Sequence, residues 1–304
     1  MPKRRRQGVP LVPPPNQTMS RKRARQVTTA FHQLTRGHAT KMDAGSAVAL
    51  DKAQVVAYQK ASQVSTSFHS TSKWVLGYLS RNGWVYGIPV SDEAEEETET
   101  NAAKEKCKSN SRKRRKERHP TRLLEIGAIN TQLLDASQTR RQYLLNVRAI
   151  DLHAMDKRIE EADFLRLPLH DVKRNSEDGG YDVIVCSMVI NCVPTPSARG
   201  EMMCRLYHFL RPGGLLFLTL PRTCLRLSPY MDAADFGQLL TDLGLAICET
   251  KESPKIAFFV CQRVVQRPWD GTRWTKLHRR HQGAKFTNDF SIVLNKESFD
   301  GPFC

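Results

Sequence analysis

Residues 123–128 read LLEIGA, and Asp151 stands 24 residues beyond Gly127 in VRAIDLH (147–153): a buried strand, a tight glycine turn, a helix start and a second strand ending in a carboxylate. In an α/β chain this order serves an adenosine-containing cofactor. Glycine lets the backbone approach the ligand, and a carboxylate closing the second strand accepts hydrogen bonds from ribose hydroxyls. A dinucleotide site needs G-x-G-x-x-G, because a pyrophosphate must lie on bare backbone at a helix N-terminus. The turn here is Gly127-Ala128-Ile129-Asn130-Thr131, with one glycine. Hydride chemistry is therefore disfavoured. S-adenosylmethionine carries no phosphate, and Glu125 with Gly127 suffices for its amino acid end, so a methyltransferase is the better reading. Glu-x-Gly alone is also what any buried strand entering a glycine turn looks like, and the order of elements downstream has to decide.

That order alternates. RLLEIGA, YLLNVRAIDL, IEEADFLRL, YDVIVCSMVI and GGLLFLTLP read as strands, with helices expected over 132–137, 197–210 and 233–243. Alternation of this kind predicts a parallel sheet covered by helices on both faces. GLAICETKE and KIAFFVCQRV follow, separated only by Ser253-Pro254, too close for a crossover helix and so an antiparallel hairpin. The expected fold is α/β: a Rossmann-like class I methyltransferase with a mostly parallel seven-stranded sheet, a terminal antiparallel hairpin and an N-terminal helical extension.

The chain of 304 residues has room for one such domain with appendages. No apolar run reaches about 18 residues, and the basic N-terminus has no apolar stretch behind it, so neither a membrane span nor a secretory signal is expected. The eight cysteines are scattered, without a Cys-x-x-Cys pair or a His/Cys cluster, so neither a disulfide framework nor a metal site is expected. The net charge of +16 is unevenly placed: 23 Lys/Arg against 10 Asp/Glu over residues 1–120, 18 against 17 over 121–267, and 6 against 4 over 268–304. A nearly neutral body with a cationic arm suits a polyanion, nucleic acid first.

Residues 1–40 are expected to form a disordered basic tail, with clusters at 3–6 and 21–25 around a proline-rich spacer that resembles a bipartite nuclear import signal. Residues 41–90 show helical spacing and 91–119 an acidic run followed by a basic one, read as a charged linker. The cofactor-binding domain is placed at 120–267. Residues 268–304 form a C-terminal tail in which Trp269, Trp274 and Phe286 alternate with Arg273, Lys276, Arg279 and Arg280, a mixture able to stack on bases and hold phosphates.

Ligands of open parallel sheets bind beyond the C-terminal ends of the strands, where the strand order reverses. The expected cofactor residues are therefore Glu125 and Gly127 after the first strand, Asp151 for the ribose, Asp163 for the adenine amine, Phe164 against the adenine ring, and Ser187 after the fourth strand. A turn cap is the alternative role for Asp163. The segment 187–194, SMVINCVP, borders the expected methyl position. It lacks the Asn/Asp-Pro-Pro-Tyr/Phe sequence suited to exocyclic amines and the Pro-Cys arrangement that attacks pyrimidine C6. A ring nitrogen such as adenine N1 has a free lone pair, so positioning suffices. Asn191 is the candidate catalytic residue, orienting the base through its amide; bonding to backbone in a turn is its other reading.

Taken together, YQKASQ (58–63), TSKWVL (71–76), LLEIGAINT (123–131), IDL (150–152), ADFLRLPL (162–169), SMVINCVP (187–194), RPGGLLFLTLP (211–221) and residues 224–231 resemble the fungal 25S rRNA adenine-N(1) methyltransferase family, over about residues 50–265. The resemblance implies S-adenosylmethionine-dependent methylation of N1 of an adenine in large-subunit rRNA, in the nucleolus; the rRNA or a pre-ribosome is the expected partner, and a monomer without metal is expected. It places Gly127 and Asp151 at the family's cofactor positions. Two positions depart from the pattern: Cys192, where the family often has Phe, and Pro229, where Arg tends to precede the Tyr. The same resemblance reaches an animal S-adenosylmethionine sensor, so a non-catalytic binding module is the rival class. The basic arms favour the enzyme.

Overall fold

The computed structural model describes residues 71–89, 118–168, 180–264, 269, 271–283 and 285–300, with parts of 20–34 and 53–61. Two compact units are present, Met1–His69 and Ser70–Cys304. In the first, residues 22–24 and 26–31 are helical, as are 53, 54, 56–58, 60 and 61, and Phe31 stacks on Tyr58 with ring centroids 4.2 Å apart. The basic cluster at 21–25 is thus partly helical where a disordered tail was expected, because Lys, Arg, Ala and Gln are good helix formers once the proline spacer is passed. The cluster at 3–6 lies outside the described residues.

The second unit holds the sheet. Its elements are α1 (Thr71–Arg81), β1 (Ile88–Pro89), β2 (Arg118–His119), β3 (Thr121–Ile126), α2 (Gln132–Thr139), β4 (Leu145–Asp151), β5 (Glu160–Glu161), β6 (Tyr181–Ser187), α3 (Pro196–Phe209), β7 (Leu210–Pro221), α4 (Arg222–Arg226), α5 (Ala233–Asp242), β8 (Leu245–Glu252), β9 (Ile256–Arg263) and α6 (Lys296–Asp300). The strand order is β5-β4-β3-β6-β7-β9-β8. Every pair from β5 to β7 is parallel, and β9 runs antiparallel to both β7 and β8. The order reverses between β3 and β6, as the expected fold requires. The third strand shrinks to two residues, because Asp163 turns the chain into a 3-10 turn at Phe164–Arg166.

Side-chain alternation divides the strands between two cores. Leu123, Val183, Val185, Leu215 and Phe217 face α1 and α2, while Leu124, Ile126, Ile184, Cys186, Leu216 and Leu218 face α3 and α5. On the first face Trp74 of α1 meets Phe217 and Phe258 edge-on at 5.2 and 5.1 Å. The charged linker expected over 91–119 lies almost wholly outside the described residues, but its flanks meet as the antiparallel pair β1 and β2.

The segment after residue 270, expected as a tail, is built into the domain. Phe290, Ile292, Leu294 and Phe299 are buried in the α3/α5 core. Val293 N–H donates to Pro196 O, Ser228 Oγ–H to Phe290 O, and the Val293 carbonyl lies so close to Gly200 that a Cβ there would sit 1.8 Å from it. Arg199, 2 % exposed, ties this strap down: its guanidinium donates to Val193 O, Pro194 O and Ser291 O and lies 5.2 Å from the Phe290 ring centroid. The sequence pattern hid the strap because its apolar residues alternate irregularly with polar ones and carry no helical period.

Candidate functional site

The site is assembled on the α1-facing side of the sheet, at the C-terminal ends of four adjacent strands. By strand alternation Glu125 of β3, Asp151 of β4, Ser187 of β6 and Thr219 of β7 all belong to this face, and Ser187 pairs directly with Thr219. Three of the four carry buried atoms with no hydrogen-bond partner among the described residues: Glu125 Oε2, Ser187 Oγ and Thr219 Oγ1. Trp74 Nε1, above Phe217 and Phe258, is a fourth such atom. Buried polar atoms are ordinarily satisfied, and leaving one bare costs about 1–3 kcal/mol. Several bare atoms at neighbouring strand ends, donors and acceptors together, form a polar surface that a zwitterionic ligand end would complete.

Burial pushes the Glu125 carboxyl up to about 8. The adjoining turn needs its glycine. Gly127 takes φ 72°, its N–H donates to Ile150 O at 2.9 Å, and Ala128 N–H donates to the same carbonyl at 3.0 Å. A Cβ on Gly127 would fall 2.5 Å from Val189 Cγ2. The neighbouring Met188 is also left-handed, at φ 60°, a strained conformation for a side-chain-bearing residue that favours functional turns.

Asp151 closes β4 as expected and is buried; its Oδ1 accepts from His153 N–H at 2.8 Å. Asn191 sits in the 3-10 turn Ile190–Cys192 after β6. Its amide nitrogen donates to Cys192 Sγ at 3.4 Å, while its Oδ1 is buried without a partner among the described residues.

Two further expected residues are engaged by the protein itself. Asp163 caps the 3-10 turn, accepting from Leu165 N–H at 2.9 Å, with Arg166 Nε 3.5 Å from its other oxygen, so its cap role is the observed one. Phe164 does not offer its ring to a ligand: it is 4 % exposed and packs edge-on against Phe209 at 5.1 Å. Arg205 fixes this turn from α3 by donating to Phe164 O and Leu167 O. An apolar residue after a strand-end carboxylate reads equally well as a ligand wall or as core, and the aromatic partner on α3 decides for core.

Sequence reasoning overlooked Trp74 and Thr219. The signal for Thr219 was present, since it is the single polar side chain inside LLFLTLP (215–221) and shares parity with Phe217.

The polar strand ends suit the amino acid end of S-adenosylmethionine, and Asp151 suits its ribose. Among the described residues no group of three or more His, Cys, Asp or Glu is placed to hold a metal, and no helix is long and apolar enough to cross a membrane.

Residues 51–292 match the family described as "25S rRNA (adenine(2142)-N(1))-methyltransferase, Bmt2". The 25S rRNA (adenine(2142)-N(1))-methyltransferase of Saccharomyces cerevisiae is 34% identical over 171 residues, 56% of this chain and 48% of that protein. The 25S rRNA adenine-N(1) methyltransferase of Schizosaccharomyces pombe is 32% identical over 149 residues, 47% of this chain and 50% of that one. The chain thus spans about half the length of these relatives. Among solved structures, an S-adenosylmethionine-dependent methyltransferase from Mesorhizobium loti aligns at TM-score 0.36 with 12% identity, covering 48% of this chain and 92% of that one.

Proposed function

The chain belongs to the 25S rRNA (adenine(2142)-N(1))-methyltransferase family, Bmt2, and on that premise we propose that it uses S-adenosylmethionine to methylate N1 of an adenine in large-subunit rRNA, in the nucleolus. The observation that carries this reading is the set of unsatisfied buried atoms on Glu125, Ser187 and Thr219 beside the left-handed Gly127, where the strand order reverses.

When bound, S-adenosylmethionine supplies a methyl group on a positively charged sulfur. Glu125 accepts from its amino group, Ser187 and Thr219 complete the hydrogen bonds of its amino acid end, and Asp151 accepts from the ribose. The target nitrogen has an in-plane lone pair, so the chain need not remove a proton before transfer. Its contribution is orientation, which for well-aligned partners is worth roughly 7–11 kcal/mol. Asn191 Oδ1, buried and unsatisfied, can accept from an adenine amino group and so hold the base by the edge that contains N1.

Purified large-subunit rRNA lacking the modification, incubated with the protein and S-adenosylmethionine carrying a deuterated methyl group, should yield deuterium-labelled 1-methyladenosine in nuclease digests read by mass spectrometry. Tight cofactor binding with no labelled nucleoside would instead make the chain a cofactor sensor.

Glu125 gives a pH prediction. Because its carboxyl is raised to about 8, the folded protein holds this proton from the ordinary carboxylate range up to that pH, whereas the unfolded chain does not. Its contribution to stability is present at acid pH and is lost as pH rises through about 8. Accepting an ammonium group requires the ionised form, so loading the cofactor near pH 7 should release about one proton. Calorimetry in two buffers of different ionisation enthalpy measures this, and Glu125→Gln should remove the buffer dependence. Equal buffer dependence in the variant would take the amino group away from Glu125.

A further inference from the structure

A second polar concavity lies on the opposite face of the domain. The strap over 271–285 carries five Lys/Arg and two His and no acid. It lies along α5: Arg273 and Trp274 Nε1 reach Asp242 at the end of that helix, at 3.1 and 2.7 Å. Arg280 pairs with Asp235, and His281 lies 3.5 Å from Asp232, at the helix start. Because α5 follows β7, its start lies at the C-terminal edge of the sheet, and the strap therefore runs towards the edge that holds Ser187 and Thr219. Between the strap and the loop 227–232 is a cleft of about 230 Å³, walled by Tyr230, Trp274, Lys276, His278 and Arg280.

The charges in this cleft divide into two groups. Arg273 and Arg280 are spent on carboxylates of α5, and their guanidinium carbons lie 5.2 and 5.5 Å from the Trp274 ring centroid. Lys276 of the lining, and Arg279 at the cleft's border between the lining residues His278 and Arg280, make no ion pair among the described residues. Trp274 is held at φ 65°, the left-handed region that a bulky residue enters only when its surroundings impose it. Fixed aromatic walls beside uncommitted cations are the elements of a single-strand binding groove, stacking on bases and neutralising phosphates.

We propose that this cleft holds a single-stranded segment of the substrate RNA, with Tyr230 stacking on a base and Lys276 and Arg279 contacting phosphates, and leads the strand to the methyl-transfer edge. The proposal rests on the methyltransferase reading above.

The test is fluorescence anisotropy of the full chain with labelled oligoadenylate across a salt series, alongside calorimetry with S-adenosylmethionine. Lys276→Gln/Arg279→Gln should lower the slope of log affinity against log salt by about 1.4, at ~0.7 per lost phosphate contact. Tyr230→Leu should weaken binding roughly 5- to 150-fold with the slope kept. Cofactor affinity should stay unchanged in both. Wild-type slope and affinity in the double variant would overturn the proposal. So would displacement of the RNA by polyglutamate together with an inert Tyr230→Leu, which would assign the cleft to acidic protein. Wild-type protein that methylates rRNA while the cleft variants bind RNA normally refutes the cleft alone. Cleft-dependent RNA binding without any methylation refutes the enzyme and leaves the cleft.

Discussion

Gly127→Ala should bind S-adenosylmethionine at least about a hundred-fold more weakly than the wild type, close to 2.7 kcal/mol of binding free energy. Two costs combine. The residue is held at φ 72°, where an L side chain costs roughly 1–2 kcal/mol. The new methyl would also lie 2.5 Å from Val189 Cγ2, inside van der Waals contact. Relief requires either rotating the turn, which breaks the bonds from Gly127 and Ala128 N–H to Ile150 O, or swinging out Val189, which belongs to the loop carrying Asn191. Both movements disturb the strand ends assigned to the cofactor. Calorimetry decides the matter: an unchanged Kd would place the cofactor elsewhere on the sheet.

Arg199→Ala should destabilise the domain by about 3–5 kcal/mol, since each buried carbonyl left bare costs about 1–3 kcal/mol and three lose their donor together. The side chain carries three bonds to carbonyls, so its removal leaves Val193 O, Pro194 O and Ser291 O facing a cavity beside Phe290. Arg199→Lys should recover only part of this, because an ammonium cannot reproduce the planar fork that meets carbonyls on two separate segments. Urea denaturation of the three proteins measures the differences. A loss below about 1 kcal/mol in the alanine variant would mean that the strap is held by its apolar residues alone.

The sheet was legible because its central strands β3, β6 and β7 each carry an apolar run bounded by turn residues, and the hairpin β8–β9 because Ser253-Pro254 leaves no room for a crossover. The strand ends pointed to Glu125, Asp151 and Ser187 for the same reason: in a parallel sheet, position along the strand fixes position in space. Phe164 and the strap were not legible. What decides them is a partner far along the chain, Phe209 for the first and Arg199 for the second. Local periodicity carries no information about such contacts. Trp74 lay hidden differently, since an indole on an amphipathic helix reads as core until its N–H is found without an acceptor.

The strap also determines when this domain can finish folding. Arg199 and His208 on α3 bond to carbonyls 92 and 91 residues later in the chain. A nascent polypeptide emerging residue by residue makes α3 long before the segment that covers it, so the helix waits with a cation and the seats of Phe290, Ile292 and Phe299 uncovered. Closure of such distant contacts is slow, and the waiting surface is sticky. The α3/α5 core closes only when residues 286–299 dock, so α3 stays uncovered until the chain 92 residues beyond Arg199 has been made.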